Sequence, residues 1–147
     1  MAWRELDQEE IEALLLSERI VRVAFATLSE RYVVPLGYVW CEGSLWGTTR
    51  RGHKTELAAM DERVAFAVDD SATSVPFGWR SCLGQGDFEL VKPEVFNTYA
   101  GDKMAAMFPD NPRWNRREWV IGLREGTSVC WRIVPRSLSG RIPIATD

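Results

Sequence analysis

One histidine, three cysteines and no long apolar run narrow the chemistry open to this 147-residue chain. Cys41, Cys82 and Cys130 have no metal-binding or redox spacing. With a single histidine beside them, a zinc site of ordinary ligand pattern is excluded. The odd, scattered set fits small strand residues in a reducing compartment. No stretch approaches the roughly 18 consecutive apolar residues of a membrane-spanning helix, so no membrane association is expected. The first residues include Glu5 and Asp7 rather than a basic lead and an apolar run. No secretory signal is therefore expected, and the expected location is cytoplasmic.

Positive charge is also lacking overall. The formal net charge is −3 and the isoelectric point is near 5.3. That weighs against a general nucleic-acid binder while leaving room for a local cationic pocket. Two phosphate-binding patterns are missing: there is no Gly-x-Gly-x-x-Gly fingerprint and no loop ending in Gly-Lys-Ser/Thr. No nucleophile and base are spaced as a pair. Ser81 next to Cys82 is not a triad, and His53 has no sequence-evident carboxylate to orient it. There is no internal repeat and no low-complexity run.

What is present is an ordinary globular composition, 46% hydrophobic and 27% charged, in a chain long enough for one domain, 1–147, with a real core. Seven tryptophans is a high count. Large aromatics fill cores, and they also line pockets and interfaces. The rest of the chain is organised around residues 45–57. This stretch begins as a strand, passes through a cationic turn and becomes a helix. Thr48 and Thr49 supply hydroxyls, Arg50, Arg51 and Lys54 supply positive charge, and the helix start supplies unpaired N–H groups. It reads as an anion site or as a solvated basic turn.

Around it the pattern alternates strands with short helices. A docking helix is expected over about 7–17, with Asp7 as cap, Glu10 completing a capping box, and Leu6 and Ile11 as a hydrophobic staple. Residues 19–28 read as a strand with Val21, Val23, Phe25 and Thr27 on one face and small alanines on the other. Further strands are expected over 32–40, interrupted by Pro35 at an edge or bulge, over 45–49, and over 64–68. A long strand or hairpin arm is expected over 77–92, and a closing hairpin from 119–123 and 129–134. The helix over 52–60 would offer Leu57 and Met60 to the core, and two short helices are expected over 94–107. Residues 108–117 read as a loop, and 135–147 are too rich in Pro, Gly and Ser to assign. The fold class is mainly β with short helices, a small barrel of six or seven antiparallel strands with a side-chain-filled interior. Any large ligand would sit outside it, in a cleft or at a subunit interface.

Four blocks carry a family likeness: residues 22–27 (RVAFAT), 32–38 (YVVPLGY), 45–54 (LWGTTRRGHK) with Leu57, and 79–86 (WRSCLGQG). In order and separation they resemble the pyridoxamine 5′-phosphate oxidase-like superfamily, the FMN-binding split barrels, nearest to the small nitroimidazole-resistance-type flavoproteins. Residues 134–141 are similar to that family's closing strand and following turn. The resemblance implies a homodimer with two FMN sites at the shared interface. It implies that Lys54 binds the FMN phosphate with Thr48, Thr49 and Arg50, and that the strand Val33, Val34, Pro35, Leu36 runs along the isoalloxazine ring. It places Trp79 and Ser81 in a block that approaches the cofactor from the interface. The chain departs from the usual Gly-Arg-Lys at the phosphate turn with Gly52-His53-Lys54, so His53 stands where the family's arginine stands.

No catalytic residue of the protein itself is implied, because a bound flavin accepts hydride at N5 and the protein orients it. The function so implied is an FMN-dependent oxidoreductase passing hydride from NAD(P)H to a small organic acceptor. Family members also use the deazaflavin F420 or haem, and some bind flavin without turnover. Those alternatives stay open here. So does a single-stranded nucleic-acid binder, for which Trp46, Arg50, Arg51 and Trp79 interleave basic and aromatic side chains.

Overall fold

The computed structural model of the protein describes residues 2–107 and 116–145, and the side chains of 116–119 are not described. Eight strands form one antiparallel sheet. In chain order the elements are β1 (Ala2–Glu5), α1 (Gln8–Ser17), β2 (Ile20–Ala26), β3 (Arg31–Gly37), β4 (Val39–Cys41) and β5 (Ser44–Arg50). Then come α2 (His53–Met60), β6 (Arg63–Asp69), β7 (Ser81–Val91) and α3 (Pro93–Phe96). A π-helical turn (Asn97–Gly101), α4 (Asp102–Met107), α5 (Arg116–Glu125) and β8 (Ser128–Ile144) complete them.

The sheet order is β3-β2-β6-β7-β8-β5-β4, with β1 on β8. Its two ends, β3 and β4, are consecutive in the chain and separated only by Tyr38. A sheet whose end strands are one continuous piece of chain must curl round, and this is the split barrel. Tyr38 is fully buried and donates its hydroxyl hydrogen to the Leu15 carbonyl at 2.8 Å, which ties the closure to α1.

Alternation decides which faces turn inward. Val21, Val23 and Phe25 of β2, Val64, Phe66 and Val68 of β6, and Trp131 and Ile133 of β8 fill the interior with Leu14 and Leu15 of α1. Phe88 and Trp131 stack at 5.3 Å. A second cluster forms outside, where Phe96, Ala100 and Met104 pack on Val39, Trp46 and Cys130. The expected cap of α1 is present: Glu10 N donates to Asp7 Oδ1 at 2.9 Å and Asp7 N to Glu10 Oε1 at 3.2 Å.

Several expectations are corrected. The strand count is eight rather than six or seven, because β1 pairs with β8 and β4 is a separate short strand. Residues 119–123 lie within α5, not in a strand. A short apolar run reads equally as helix or strand, and the charged residues on both sides of this one belong to the same helix. Pro35 does not interrupt β3, because β3 pairs through one edge only, with β2. Met60 is exposed at the helix end, where the chain turns at Asp61, and Leu57 alone of that pair is buried. The unassigned tail is strand: β8 runs to Ile144 through a register irregularity opposite Gln85 and Gly86. The loop expected over 108–117 falls largely on residues 108–115, outside those described; Arg116 and Arg117 begin α5.

Candidate functional site

The cationic turn is built by the end of β5 and the start of α2. Thr48, Thr49 and Arg50 pair with Cys130, Val129 and Ser128 of β8, so the strand holds register to its last residue. Arg51 N then donates to the Thr127 carbonyl at 2.8 Å, and its Nε donates to the Gly126 carbonyl at 2.9 Å. Gly52, at the cap position of α2, has no side chain to satisfy the first-turn N–H groups. The Thr55 hydroxyl turns back to the Gly52 backbone instead, at 2.9 and 3.0 Å. The first turn of α2 therefore faces outward as an anion-attracting end.

Arg50 and Lys54 flank this end, and among the described residues neither has a carboxylate partner. Several other arginines are matched: Arg22 with Asp69, Arg63 with Asp61, Arg80 with Asp70, Arg132 with Glu89 and Arg136 with Asp87. Unpaired cations beside an uncapped helix start are a donor set suited to a phosphate.

His53 is the first residue of α2, and it is not partnerless as the sequence suggests. Its Nε2 lies 2.6 Å from Glu30 Oε1 and its Nδ1 3.9 Å from Glu56 Oε2. Tyr32 meets the ring edge-on at 5.0 Å. Glu30, in the β2–β3 turn, is the residue that the sequence could not point to. It is 23 positions from His53, and no motif links them.

Tyr32 also brings β3 to the turn. Along β3 the four expected ring-binding residues divide by face. Val34 and Leu36 pack inward on the core, while Val33 and Pro35 point outward. Across the sheet the outward row continues through Ala24 opposite Val33, then Ala65 and Gln85.

Trp79 and Ser81 lie elsewhere. Ser81 pairs with Arg141 and Thr48 with Cys130 of the same strand, β8. Eleven residues of strand at ~3.3 Å each separate them, roughly 35 Å along β8. Trp79 half-buries beside Phe77, in a loop held by the buried Asp70 carboxylate, which accepts from Arg80 N at 2.6 Å and Arg80 Nε at 2.8 Å. Thus one chain unites Val33–Leu36, Thr48, Thr49, Arg50, His53 and Lys54, while Trp79 and Ser81 stand far from the cationic turn but, through β7, β6 and β2, on the side of the sheet where β3 ends. Two cavities are lined by other residues. One of about 590 Å³ lies between α1, Trp40 and Leu138, and one of about 480 Å³ lies between α2, Phe88 and Arg132.

The thiols offer no chemistry. All three are buried, and burial pushes Cys82 up to about 11 and Cys130 up to about 12, with Cys41 raised as well. Among the described residues no three His, Cys, Asp or Glu side chains could hold a metal ion, and no helix is long and apolar enough to cross a membrane.

Residues 7–142 match the family model described as Pyridoxamine 5′-phosphate oxidase. No curated protein matches. Among solved structures, a FAD-binding protein from Mesorhizobium loti is similar at 25% identity and TM-score 0.74, covering 96% of this chain and 98% of that one. A putative 5-nitroimidazole antibiotic resistance protein from Bacteroides thetaiotaomicron is similar at 16% identity and TM-score 0.72, covering 97% and 89%. A FAD-binding protein from Mycobacterium smegmatis is similar at 19% identity and TM-score 0.64, covering 95% and 99%.

Proposed function

The chain belongs to the pyridoxamine 5′-phosphate oxidase family, and from that premise we propose that it is a flavin-dependent oxidoreductase using FMN. The observation that carries this reading is the pair of cations, Arg50 and Lys54, left without carboxylates beside an uncapped helix start. Two of the similar structures are FAD-binding proteins, which supports a flavin as the group held. When bound, the flavin supplies hydride transfer at N5 between a nicotinamide donor and a small organic acceptor.

The residues fit that role. Lys54, Arg50 and the first-turn N–H groups of α2 neutralise a phosphate, and Thr48 and Thr49 lie at the end of β5 that leads into the turn. The free edge of β3 offers backbone groups to a planar ring, and Pro35 withholds an N–H there. Val33 and Pro35 give the outward apolar surface, while Val34 and Leu36 anchor the strand to the core. Trp79 and Ser81, remote from the cationic turn of their own chain, would approach it from a second copy. The outward row Val33, Ala24 and Ala65, free of charge itself, is the surface on which the two copies would meet, forming a homodimer.

The test is direct. Purified protein should show a flavin spectrum, and the released chromophore should have the mass of FMN. Under anaerobic conditions NADH or NADPH should bleach it, and a nitro or quinone acceptor should restore it. Bleaching only by reduced F420 would move the assignment to a deazaflavin enzyme, and tight FMN without bleaching by any donor would make the protein a flavin carrier or sensor. Sedimentation should give twice the monomer mass; a monomer that holds FMN tightly would remove Trp79 and Ser81 from the site.

A further inference from the structure

We propose that Glu30 is a positioning residue for the phosphate turn, acting through His53. The inference rests on the flavin reading of the site, and the experiment below separates the two.

The site has two halves that the chain makes separately. The turn after β5 holds the cations, and β3 holds the strand edge. Glu30 lies at the root of β3, where Thr27 N donates to the Glu30 carbonyl at 2.8 Å and fixes the β2–β3 turn. From that fixed point its carboxylate reaches His53 Nε2 at 2.6 Å. His53 opens α2 and precedes Lys54 directly. The contact therefore clasps the helix start to the strand, and it is the described side-chain hydrogen bond that joins the two halves.

The clasp also sets the electrostatics. An imidazole held by Glu30 is turned away from duty as a phosphate ligand, although it occupies the position where an arginine is expected. The groups that face it are Glu30 from the β2–β3 turn, Glu56 from its own helix and the Tyr32 ring from β3. His53 shields the anion site from Glu30. If the imidazole is removed, a carboxylate is left facing the helix end that must attract a phosphate. Loss of His53 should then harm phosphate binding more than loss of Glu30, and removing both should recover part of the damage. A merely structural contact predicts no such recovery.

The experiment compares FMN and riboflavin affinity, by fluorescence titration, in the wild type and in Glu30→Gln, His53→Gln, the double variant, His53→Lys and Lys54→Ala. For FMN we expect about a three- to fivefold loss in Glu30→Gln, the scale of an exposed ion pair. About a tenfold loss is expected in His53→Gln, where a like charge is exposed to the phosphate as well. The double variant should return to the level of Glu30→Gln. His53→Lys, which keeps a partner for Glu30, should hold affinity near the wild-type level where His53→Gln does not. Riboflavin should change little throughout. The single histidine gives a second readout without assignment: its carbon-bound ring protons should shift between the wild type and Glu30→Gln in an otherwise unchanged spectrum. Independent, additive losses from the two single variants would overturn the clasp, as would a Glu30→Gln protein that binds FMN like the wild type. If Lys54→Ala lowers the preference for FMN over riboflavin while Glu30→Gln does not, the clasp alone fails. If the wild type binds no flavin, both the clasp and the flavin reading fail.

Discussion

Two cationic turns lie near opposite ends of β8 and are treated in opposite ways. Near Ser81, two guanidinium groups are matched within the chain. Arg80 is held by the buried Asp70, and Arg4 is gripped by both oxygens of Glu10 at 2.8 Å. Near Ser128, Arg50 and Lys54 have no carboxylate partner among the described residues, and the helix they flank lacks a side-chain cap. Both ends carry basic residues in the sequence. What separates them is whether the fold has already satisfied the charge. A matched arginine stabilises a loop, whereas an unmatched one beside a helix start is free to meet an anion from outside.

The largest effect that sharpens this contrast is at the matched end. Asp70→Ala should destabilise the protein by about 3 kcal/mol, because it strands a half-buried guanidinium and a backbone N–H. Urea denaturation should show the midpoint falling, while the preference for FMN over riboflavin stays. At the open end the pattern should reverse. Lys54→Ala should lower FMN affinity by about 2 kcal/mol relative to riboflavin, the lower part of the range for truncating a paired charge. Its urea midpoint should move by no more than about 0.5 kcal/mol equivalent. A stability loss at Lys54 would mean that this cation is structurally matched after all. Arg50→Ala, more exposed, should cost FMN binding roughly 0.5 kcal/mol, and that loss should shrink in high salt.

The smallest effect is confined to acid. The Glu10 carboxyl is lowered from 4.5 to about 2, chiefly by its hydrogen bond to Arg4 and then by the Asp7 N–H. A depressed carboxylate stabilises the fold above its unfolded value and loses that contribution as pH falls. Wild-type thermal stability should therefore decline between pH 4.5 and about 2, and Glu10→Gln should flatten that part of the profile. No comparable step is expected from Arg50 or Lys54, which have no carboxylate partner to lose.

Much of the fold was legible because it rests on local periodicity. The inward faces of β2 and β6 follow directly from alternation, and the Asp7–Glu10 cap follows from spacing. The 119–123 run was misread because five apolar residues carry too little length to separate helix from strand. The course of β8 beyond Pro135 was hidden for the opposite reason. Pro135, Pro143 and Gly140 suggest a break, yet β7 supplies a partner through an irregular register, and tertiary pairing overrides the local signal. For the site, Thr48 to Lys54 was legible as one stretch of chain. The Glu30–His53 contact was not, because it joins residues that only the curl of the sheet brings together. Nor does the sequence show that Arg80 is matched and Arg50 is not, since that depends on which carboxylates lie across the sheet.

The closing strand carries one more consequence, for the order in which the protein can be made. β8 pairs with β1, β5 and β7, so the hub of the sheet is its last strand. A ribosome delivers β2, β3 and β6 early, and these can form a three-stranded sheet on their own ladder pairings. β1 and β5 must wait, because one of β5's partners is the three-residue β4 and the other is β8. The barrel thus closes only after synthesis of residues 128–144, through contacts spanning nearly the whole chain, which makes closure slow. Until then the cationic turn after β5 has no β8 strand to hold its register.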